Sequence, residues 1–277
     1  MGNYWSSDTT GNQQLNKPIR KYGWRRDLPD RRDIFHDLKV TDTVQRRVDL
    51  RPQCPTVYDQ GHLGSCTANA IAAAYQFDVL RQGEVEAFIP SRLFIYYNER
   101  ETEGNVDTDA GAEIRDGVKS IHSQGVCPET MWPYNVDNFT TKPTDCCYDT
   151  AKHHVSVQYR RVPQNLKHIK LCLSKGLPIV FGFTVFESFE HREILETGIM
   201  QMPGPQEKSL GGHAVMAVGY DDRHQWMIVR NSWGSQWGDG GYFYMPYRYI
   251  CDQGLCSDFW TVQQVKDSTP VLKIKVD

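Results

Sequence analysis

The sequence predicts an α+β fold made of two halves. Apolar residues recur at helical spacing from residue 66 to about 125, whereas short apolar runs and apolar–polar alternation dominate after about residue 153. With 277 residues the chain can bury a sizeable core. Because helices come first and strands follow, we expect a helical half to pack against a sheet half, with a cleft between the two.

The first 46 residues differ from the rest, since they are polar and lack a helical or strand period. The stretch 17–32 carries seven Lys or Arg against two Asp, and its two prolines exclude one continuous helix. Three interpretations stay open. The segment is a solvated arm that packs loosely, or it covers the domain with Tyr22 and Trp24 as anchors and its arginines as pairing groups. In the third interpretation its arginines contact an anion such as a nucleotide phosphate.

Three helices are predicted in the first half. Ser65 can cap a helix over 66–80, whose apolar residues fall on one face. A second, short helix starts after Pro90, and a third extends over 111–124 and stops at a glycine. The stretch 126–150 is rich in Pro, Asn, Asp and Thr, which predicts a loop.

The second half is predicted to be mainly strands. Residues 155–159 alternate between apolar and polar, and residues 166–176 then form a helix that ends at a glycine. Four further strands are predicted at 178–185, 213–222, 225–233 and 241–245.

The composition excludes several classes of function. A net charge of −3 with 23% charged residues gives no reason to expect nucleic acid as a partner. No apolar run reaches the roughly 18–20 residues that a membrane span needs. The first thirty residues lack the apolar core of a signal peptide, which favours an intracellular or virion-type setting over classical secretion. Neither a pair of CxxC motifs nor HExxH occurs, so we expect no cofactor and no metal.

Eight cysteines limit the disulfide pattern. If Cys66 is a free nucleophile, an odd number remains, and a fully paired framework is excluded. Pairing of Cys251 with Cys256, or of either Cys146 or Cys147 with a distant partner, stays open. The count favours a reducing or mixed setting.

Cys66 and His213 are the candidate nucleophile and base. A helix N-terminus and a nearby imidazolium both lower the pKa of a thiol, and Cys66 opens a predicted helix. His213 stands at the start of a predicted buried strand, in LGGHAVMAVGY, where Gly212 lets a substrate chain come close.

Asn231 and Gln60 complete the candidate catalytic site. Asn231 begins NSWGSQWGDGGY, and an antiparallel pair of strands would bring its amide oxygen to the His213 ring, with Trp233 covering that bond. The side-chain amide of Gln60 and the backbone N–H of Cys66 can bind a developing oxyanion.

The sequence resembles the papain-like, cathepsin-type family of cysteine proteases. Six segments carry the resemblance, in the family's order over residues 48 to 262: VDLR (48–51), DQGHLGSC (59–66), DAGAEI (109–114), QGVCPETMWPY (124–134), GGHAVMAVGY (211–220) and NSWGSQWGDGGY (231–242). The separation of Cys66 and His213 lies within the family's range of about 130–150 residues.

The resemblance implies a two-lobed fold with a helical left lobe, a β-rich right lobe and the active-site cleft between them. It also implies an endopeptidase that acts on protein or peptide substrates through a thioester acyl-enzyme. The expected division is an N-terminal extension over 1–46 and a catalytic domain over 47–277. Within that domain, about 47–150 form the helical lobe and 151–277 the β-rich lobe.

Substrate-binding residues follow from the resemblance too. Gly111 and Ala112 would pair with the substrate backbone, beside Gly212 and Trp233. Ala214 would line the second subsite and Cys256 or a neighbour would form its floor, which suggests an apolar substrate side chain there.

Two positions depart from the family pattern. Leu63 replaces a cysteine that relatives pair in a disulfide, and Thr67 replaces a tryptophan. The first change makes the chain more similar to bacterial and viral members than to secreted animal cathepsins. The long helical prodomain of many relatives is also missing, so 1–46 is the candidate for an inhibitory segment of a zymogen. A catalytically silent peptide-binding protein and an acyl transferase or amidase of the same fold stay open as alternatives.

Overall fold

The computed structural model describes residues 21–38, 44–83, 88–155 and 157–264. We call residues 21–38 the arm, and the described residues from 44 onward the body. The helices are α1 (Cys66–Arg81), α2 (Arg92–Glu103), α3 (Ile114–Ser123), α4 (Asp145–Ala151), α5 (Leu166–Ser174), α6 (Arg192–Thr197) and α7 (Tyr247–Ile250). The strands are β1 (Trp24–Arg25), β2 (Arg47–Asp49), β3 (Ala112–Glu113), β4 (Val157–Arg161), β5 (Ile179–Phe186), β6 (Ser209–Asp221), β7 (Trp226–Arg230), β8 (Tyr242–Pro246) and β9 (Cys256–Gln264).

Helix α1 joins the helical and sheet halves. It packs on α2 and α3 on one side and on β6 and β9 on the other. All its residues from Cys66 to Val79 are buried. A helix that is covered on both sides is mostly apolar or small all round, which the alanine-rich sequence provides. Its buried polar residues Gln76 and Asp78 are hydrogen-bonded.

The sheet of the second half has the strand order β4-β9-β5-β6-β7-β8, and β2 pairs with β6. Each pairing in it is antiparallel. The long strand β6 lies between β5 and β7, which places His213 opposite Phe183 in the interior of the sheet. Together with the helices of the first half, this sheet forms the two-lobed α+β arrangement that the sequence predicts.

Several predicted elements are confirmed with small changes in their bounds. Ser91 caps α2, because its hydroxyl accepts the N–H of Phe94. Helix α3 begins three residues later than predicted, since Ala112 and Glu113 form a short strand against the arm.

The short elements α6, α7, β1, β2 and β3 were not predicted, and neither were α4 and β9. The loop prediction for 126–150 is wrong at its end, where the short polar segment Asp145–Ala151 forms α4. The strand β9 was missed because an irregularity near Asp258 interrupts its alternation.

Two further observations complete the description. All eight cysteines are free thiols, so the pairing that was left open for Cys251 and Cys256 does not form. In the part of the chain that the structure describes, every helix is too short or too polar to cross a bilayer.

Candidate active site

Cys66 is the first residue of α1, and its side chain is fully buried. Ser65 occupies the N-cap position, as predicted, but its side chain does not cap the helix. The Ser65 hydroxyl instead bonds to the hydroxyl of Tyr134 and accepts from the amide of Asn69, 3.1 Å away. The helix start therefore holds the thiol in place without a side-chain cap.

The His213 ring is held between an amide and an indole. Its Nε2 lies 2.8 Å from Oδ1 of Asn231, and its ring stacks on Trp233 with centroids 4.8 Å apart. The same Oδ1 accepts the backbone N–H of Ser232, so this atom is the acceptor and Nε2 of His213 carries the hydrogen. The β6–β7 pairing brings these residues together, because Asn231 directly follows β7.

The Gln60 side chain is buried and fixed at both ends. Its Oε1 accepts the hydroxyl of Ser232 over 2.6 Å. Its Nε2 therefore points the other way, toward the carbonyl oxygens of Leu63 at 2.9 Å and of Lys21, in the arm, at 3.4 Å. Sequence reasoning missed the orienting role of Ser232, although this residue lies inside the NSW motif.

Burial raises the pKa of the Cys66 thiol to about 11. Backbone N–H groups of Ala214 and Gly23 oppose this shift but do not outweigh it. The direction is opposite to the lowered pKa that a helix start predicts. Gly23 belongs to the arm, so the arm supplies one of the groups that set this pKa.

The arm backbone pairs with the edge where a substrate backbone was expected. Strand β1 runs parallel to β3, with Trp24 opposite Ala112, and the N–H of Ala112 donates to the Gly23 carbonyl over 2.7 Å. Gly111 has φ +73°, and a side chain there would overlap the Gly23 carbonyl. A Cβ on Gly23 would likewise overlap the backbone of Gly64, so both positions require glycine.

Trp24 fills a pocket of the body. Its ring lies directly against Gly182 and Gly212, where any Cβ would overlap it. Its indole nitrogen donates to Oδ2 of Asp258 over 3.2 Å. Only 7% of Trp24 is exposed, so the pocket is closed around it.

Asp258 makes the polar contact in this pocket, for which the resemblance implies an apolar floor formed by Cys256 or a neighbour. Asp258 has φ 60°, and β9 has one more residue than β5 between the pairs Ser257–Gly182 and Trp260–Val180. Such a bulge re-aims a side chain, here the carboxylate toward the indole. Cys256 is buried at the start of β9, opposite Phe183.

Tyr22 covers the histidine. Its ring centroid is 6.1 Å from that of His213 and 6.1 Å from that of Trp233. Its hydroxyl donates to a carboxylate oxygen of Glu190. A Cβ on Gly211 would lie 2.8 Å from Cβ of Tyr22, which shows how closely the arm approaches β6.

Several described basic residues of the arm make contacts with protein groups. Lys21 pairs with Asp109 at 2.7 Å, and Arg25 pairs with Glu103. The predicted contact of the arm with an anion stays a prediction, and residues 17–20 of the basic stretch lie outside the described residues. Among the residues that the structure describes, no three His, Cys, Asp or Glu side chains cluster as metal ligands would.

Comparison with known proteins places the chain in a family. The model of the papain family of cysteine proteases matches residues 44–258. The chain belongs to the papain family. It is therefore a cysteine peptidase that acts on peptide bonds, as the motifs predict.

The papain-family relatives include viral, bacterial and protozoan proteins. An uncharacterised peptidase C1-like protein of Acanthamoeba polyphaga mimivirus is 45% identical over 274 residues, which is 90% of this chain and 88% of the relative. The crystal structure of xylellain, a cysteine protease from Xylella fastidiosa, superposes with a TM-score of 0.84 at 43% identity, covering 90% of this chain and 97% of that one. A cathepsin B-like protein of Giardia intestinalis is 30% identical over 217 residues, or 74% of this chain and 69% of the relative.

Proposed function

We propose that the chain is an endopeptidase with a Cys66–His213–Asn231 site, made in a form whose own arm covers the cleft. The observation that carries the catalytic assignment is the Nε2–Oδ1 contact of His213 with Asn231 under Trp233. That contact fixes the ring and its tautomer, which a general base beside a thiol needs.

The proposed reaction begins with proton transfer from Cys66 to His213. Because Nε2 of His213 donates to Asn231, this proton moves through Nδ1. The thiolate attacks the scissile carbonyl, and Nε2 of Gln60 with the backbone N–H of Cys66 stabilises the oxyanion. His213 then protonates the leaving amine, and a water molecule that His213 activates releases the acid from the thioester.

Two measurements on the full chain with Trp24→Ala, which weakens the hold of the arm on the cleft, test this assignment. Hydrolysis of fluorogenic peptides should be lost in Cys66→Ala and kept in Cys146→Ala, which removes an exposed thiol. A thiol-reactive epoxide should label Cys66 and not label the Cys66→Ala chain. Undiminished hydrolysis by Cys66→Ala would refute the assignment. Epoxide labelling without hydrolysis would favour the silent peptide-binding alternative, and transfer of the acyl group to an added amine would favour the acyl transferase.

The proposed zymogen form rests on what the arm occupies. The carbonyl of Lys21 faces the Gln60 amide, Gly23 lies beside the thiol, and Tyr22 lies over the His213 ring. A peptide cannot reach these groups while the arm stays there. We also propose the domain boundary near residue 46, since β2 begins at Arg47 and joins the sheet through β6.

A further inference from the structure

Beyond the Trp24 pocket, the body binds two carboxylates of the arm. Asp27 accepts the backbone N–H of Arg115 at 3.1 Å through Oδ1 and the indole N–H of Trp260 at 2.9 Å through Oδ2. Asp33 accepts two N–H groups of the Arg115 guanidinium, at 3.0 and 2.7 Å, and one of Arg161 at 2.6 Å. The side chains of Asp27 and Asp33 are 0% and 5% exposed, so both carboxylates are enclosed.

All these donors belong to the body, on α3, β4 and β9. Arg115 is the second residue of α3, and its N–H has no acceptor within the helix. Glu113, at the N-cap, makes no capping bond with its side chain. The arm therefore supplies the cap through Asp27, and the guanidinium of the same arginine binds Asp33 in a two-pronged contact typical of carboxylate recognition.

Without the arm this cluster carries a net positive charge, because two guanidiniums face a single carboxylate. The body contributes the guanidiniums of Arg115 and Arg161. It also contributes one carboxylate, that of Asp258, whose Oδ1 lies 3.1 Å from Arg161. The arm contributes Asp27 and Asp33. When the arm leaves, the Arg115 guanidinium and the Trp260 indole N–H lose these acceptors. Arg161 keeps Asp258 but loses Asp33. A carboxylate is the group that satisfies the freed donors.

We propose that Arg115, Arg161 and Trp260 form a carboxylate-binding site, which the arm fills with Asp27 and Asp33 and which acidic side chains of polypeptide substrates fill once the arm has moved. This proposal rests on the proposed displacement of the arm from the cleft. It assigns the substrate class as polypeptides that carry an acidic side chain near the residue that enters the Trp24 pocket.

The site and the pocket are adjacent. The backbone N–H of Asp27 donates to Oδ2 of Asp258 over 2.8 Å, and the indole of Trp24 donates to the same oxygen. Three extended residues span roughly 10 Å, so a peptide that fills the pocket reaches the site three residues away. Nη1 of Arg161, which binds Asp33, also lies 4.0 Å from Oδ2 of Asp27. Both carboxylate positions therefore belong to one site.

The two positions differ in their preference for charge. Burial and the neighbouring Asp258 raise the pKa of Asp27 to about 7. Burial also acts to raise the pKa of Asp33, but hydrogen bonds from Arg115 and Arg161 outweigh it and the pKa is lowered. An ionised carboxylate is therefore bound most favourably where the two guanidiniums converge.

The test measures binding, so that it does not depend on turnover. The protein is the full chain with Cys66→Ala, Trp24→Ala, Asp27→Ala and Asp33→Ala, which disables the nucleophile and vacates the pocket and both carboxylate positions. The probes are fluorescein-labelled peptides with one Trp and an Asp three residues before or after it, each matched by a peptide with Asn in place of Asp. We expect fluorescence anisotropy to give about tenfold tighter binding of an Asp peptide than of its Asn match, the usual effect of charge-assisted hydrogen bonds.

Two further variants separate the site from general effects. Arg161→Gln should reduce the Asp/Asn ratio of Kd values to near one, whereas Arg160→Gln, on the same strand, should keep it. The preference should also shrink as salt concentration rises. Equal Kd values for Asp and Asn peptides in both orders, or a preference that survives Arg161→Gln, would overturn the proposal. If Asp peptides bind more tightly than Asn peptides but the chain that keeps Cys66 does not hydrolyse peptides, only the proposed peptidase function is contradicted.

Discussion

The indole nitrogen of Trp24 donates to Oδ2 of Asp258 over 3.2 Å, and this bond closes a pocket between the arm and the body. The two residues are 234 positions apart in the chain. The bond joins Trp24, which follows the Gly23 beside the proposed nucleophile, to a carboxylate on strand β9. The arm is thus anchored next to the groups that the proposed reaction needs, and substitutions at either end have distinct expected effects.

Shortening Trp24 should activate the full chain. Trp24→Ala removes a buried indole, a change that costs about 3–5 kcal/mol in protein cores, so the arm should leave the cleft more often. We expect initial rates of peptide hydrolysis to rise by at least about tenfold, given that cost. Trp24→Phe keeps a ring and should raise the rate less. Leu28→Ala, at an exposed arm position, is the matched control, and an unchanged rate in Trp24→Ala would contradict a covering role.

Replacing Asp258 should change which side chains the pocket accepts. Once the arm leaves, Oδ2 of Asp258 loses the donors from Trp24 and Asp27, so a substrate side chain with an N–H group can replace them. Asp258→Asn tolerates the left-handed backbone at φ 60° and removes the charge.

The measurement for this substitution is a substrate-library profile in the Trp24→Ala background. Preference for Arg or Lys over Leu in this pocket should fall by about tenfold in Asp258→Asn, as expected when a buried charge partner is removed. Asp252→Asn, in the turn before β9, serves as the control. A parent profile that already prefers apolar side chains would support the original expectation of an apolar floor.

Removing the Gln60 amide should slow the chemical step. In the Trp24→Ala background, Gln60→Ala should lower kcat by about 10²–10³, the usual effect of losing one oxyanion donor. Steady-state kinetics should show little change in KM, because the donor acts on the developing charge. Gln53→Ala, at an exposed position, should leave both constants unchanged. A loss confined to KM would mean that Gln60 only positions the substrate.

Replacing Glu99 should change how stability depends on pH. Glu99 is fully buried in α2, and burial raises its pKa well above the ordinary value. The folded state then holds a proton that the unfolded state releases, so this contribution is present in acid and is lost as pH rises through the folded pKa. Glu99→Gln removes the ionisation and keeps an acceptor for the Thr67 hydroxyl, which lies 2.8 Å from Oε2.

Urea unfolding at several pH values measures this effect. The stability of Glu99→Gln relative to the parent should grow by up to about 1.4 kcal/mol per pH unit above the unfolded pKa of a glutamate. Glu193→Gln, at an exposed position of α6, should follow the parent. Parallel curves for Glu99→Gln and the parent would show that the carboxyl does not hold a proton in the folded protein.

The sequence alone determined the family and the order of a helical half before a sheet half, and it predicts the reacting groups. Helical periodicity in one half and strand patterns in the other are local signals, and they sufficed for α1, α2 and the central strands. The residue types and spacing of Gln60, Cys66, His213 and Asn231 were enough to predict their roles.

Tertiary structure decided what lies in the cleft and which charges face each other. The residue types of 17–32 draw attention to its basic residues and to Tyr22 and Trp24, yet the body also encloses the arm acids Asp27 and Asp33. The arm acids and their partners in the body are far apart in sequence, so no local periodic pattern predicts that they pair. The carboxylate of Asp258 reaches Trp24 through a bulge between two strands, and the thiol of Cys66 has its raised pKa through burial. Burial and register depend on distant parts of the chain packing together, so local sequence patterns do not contain them.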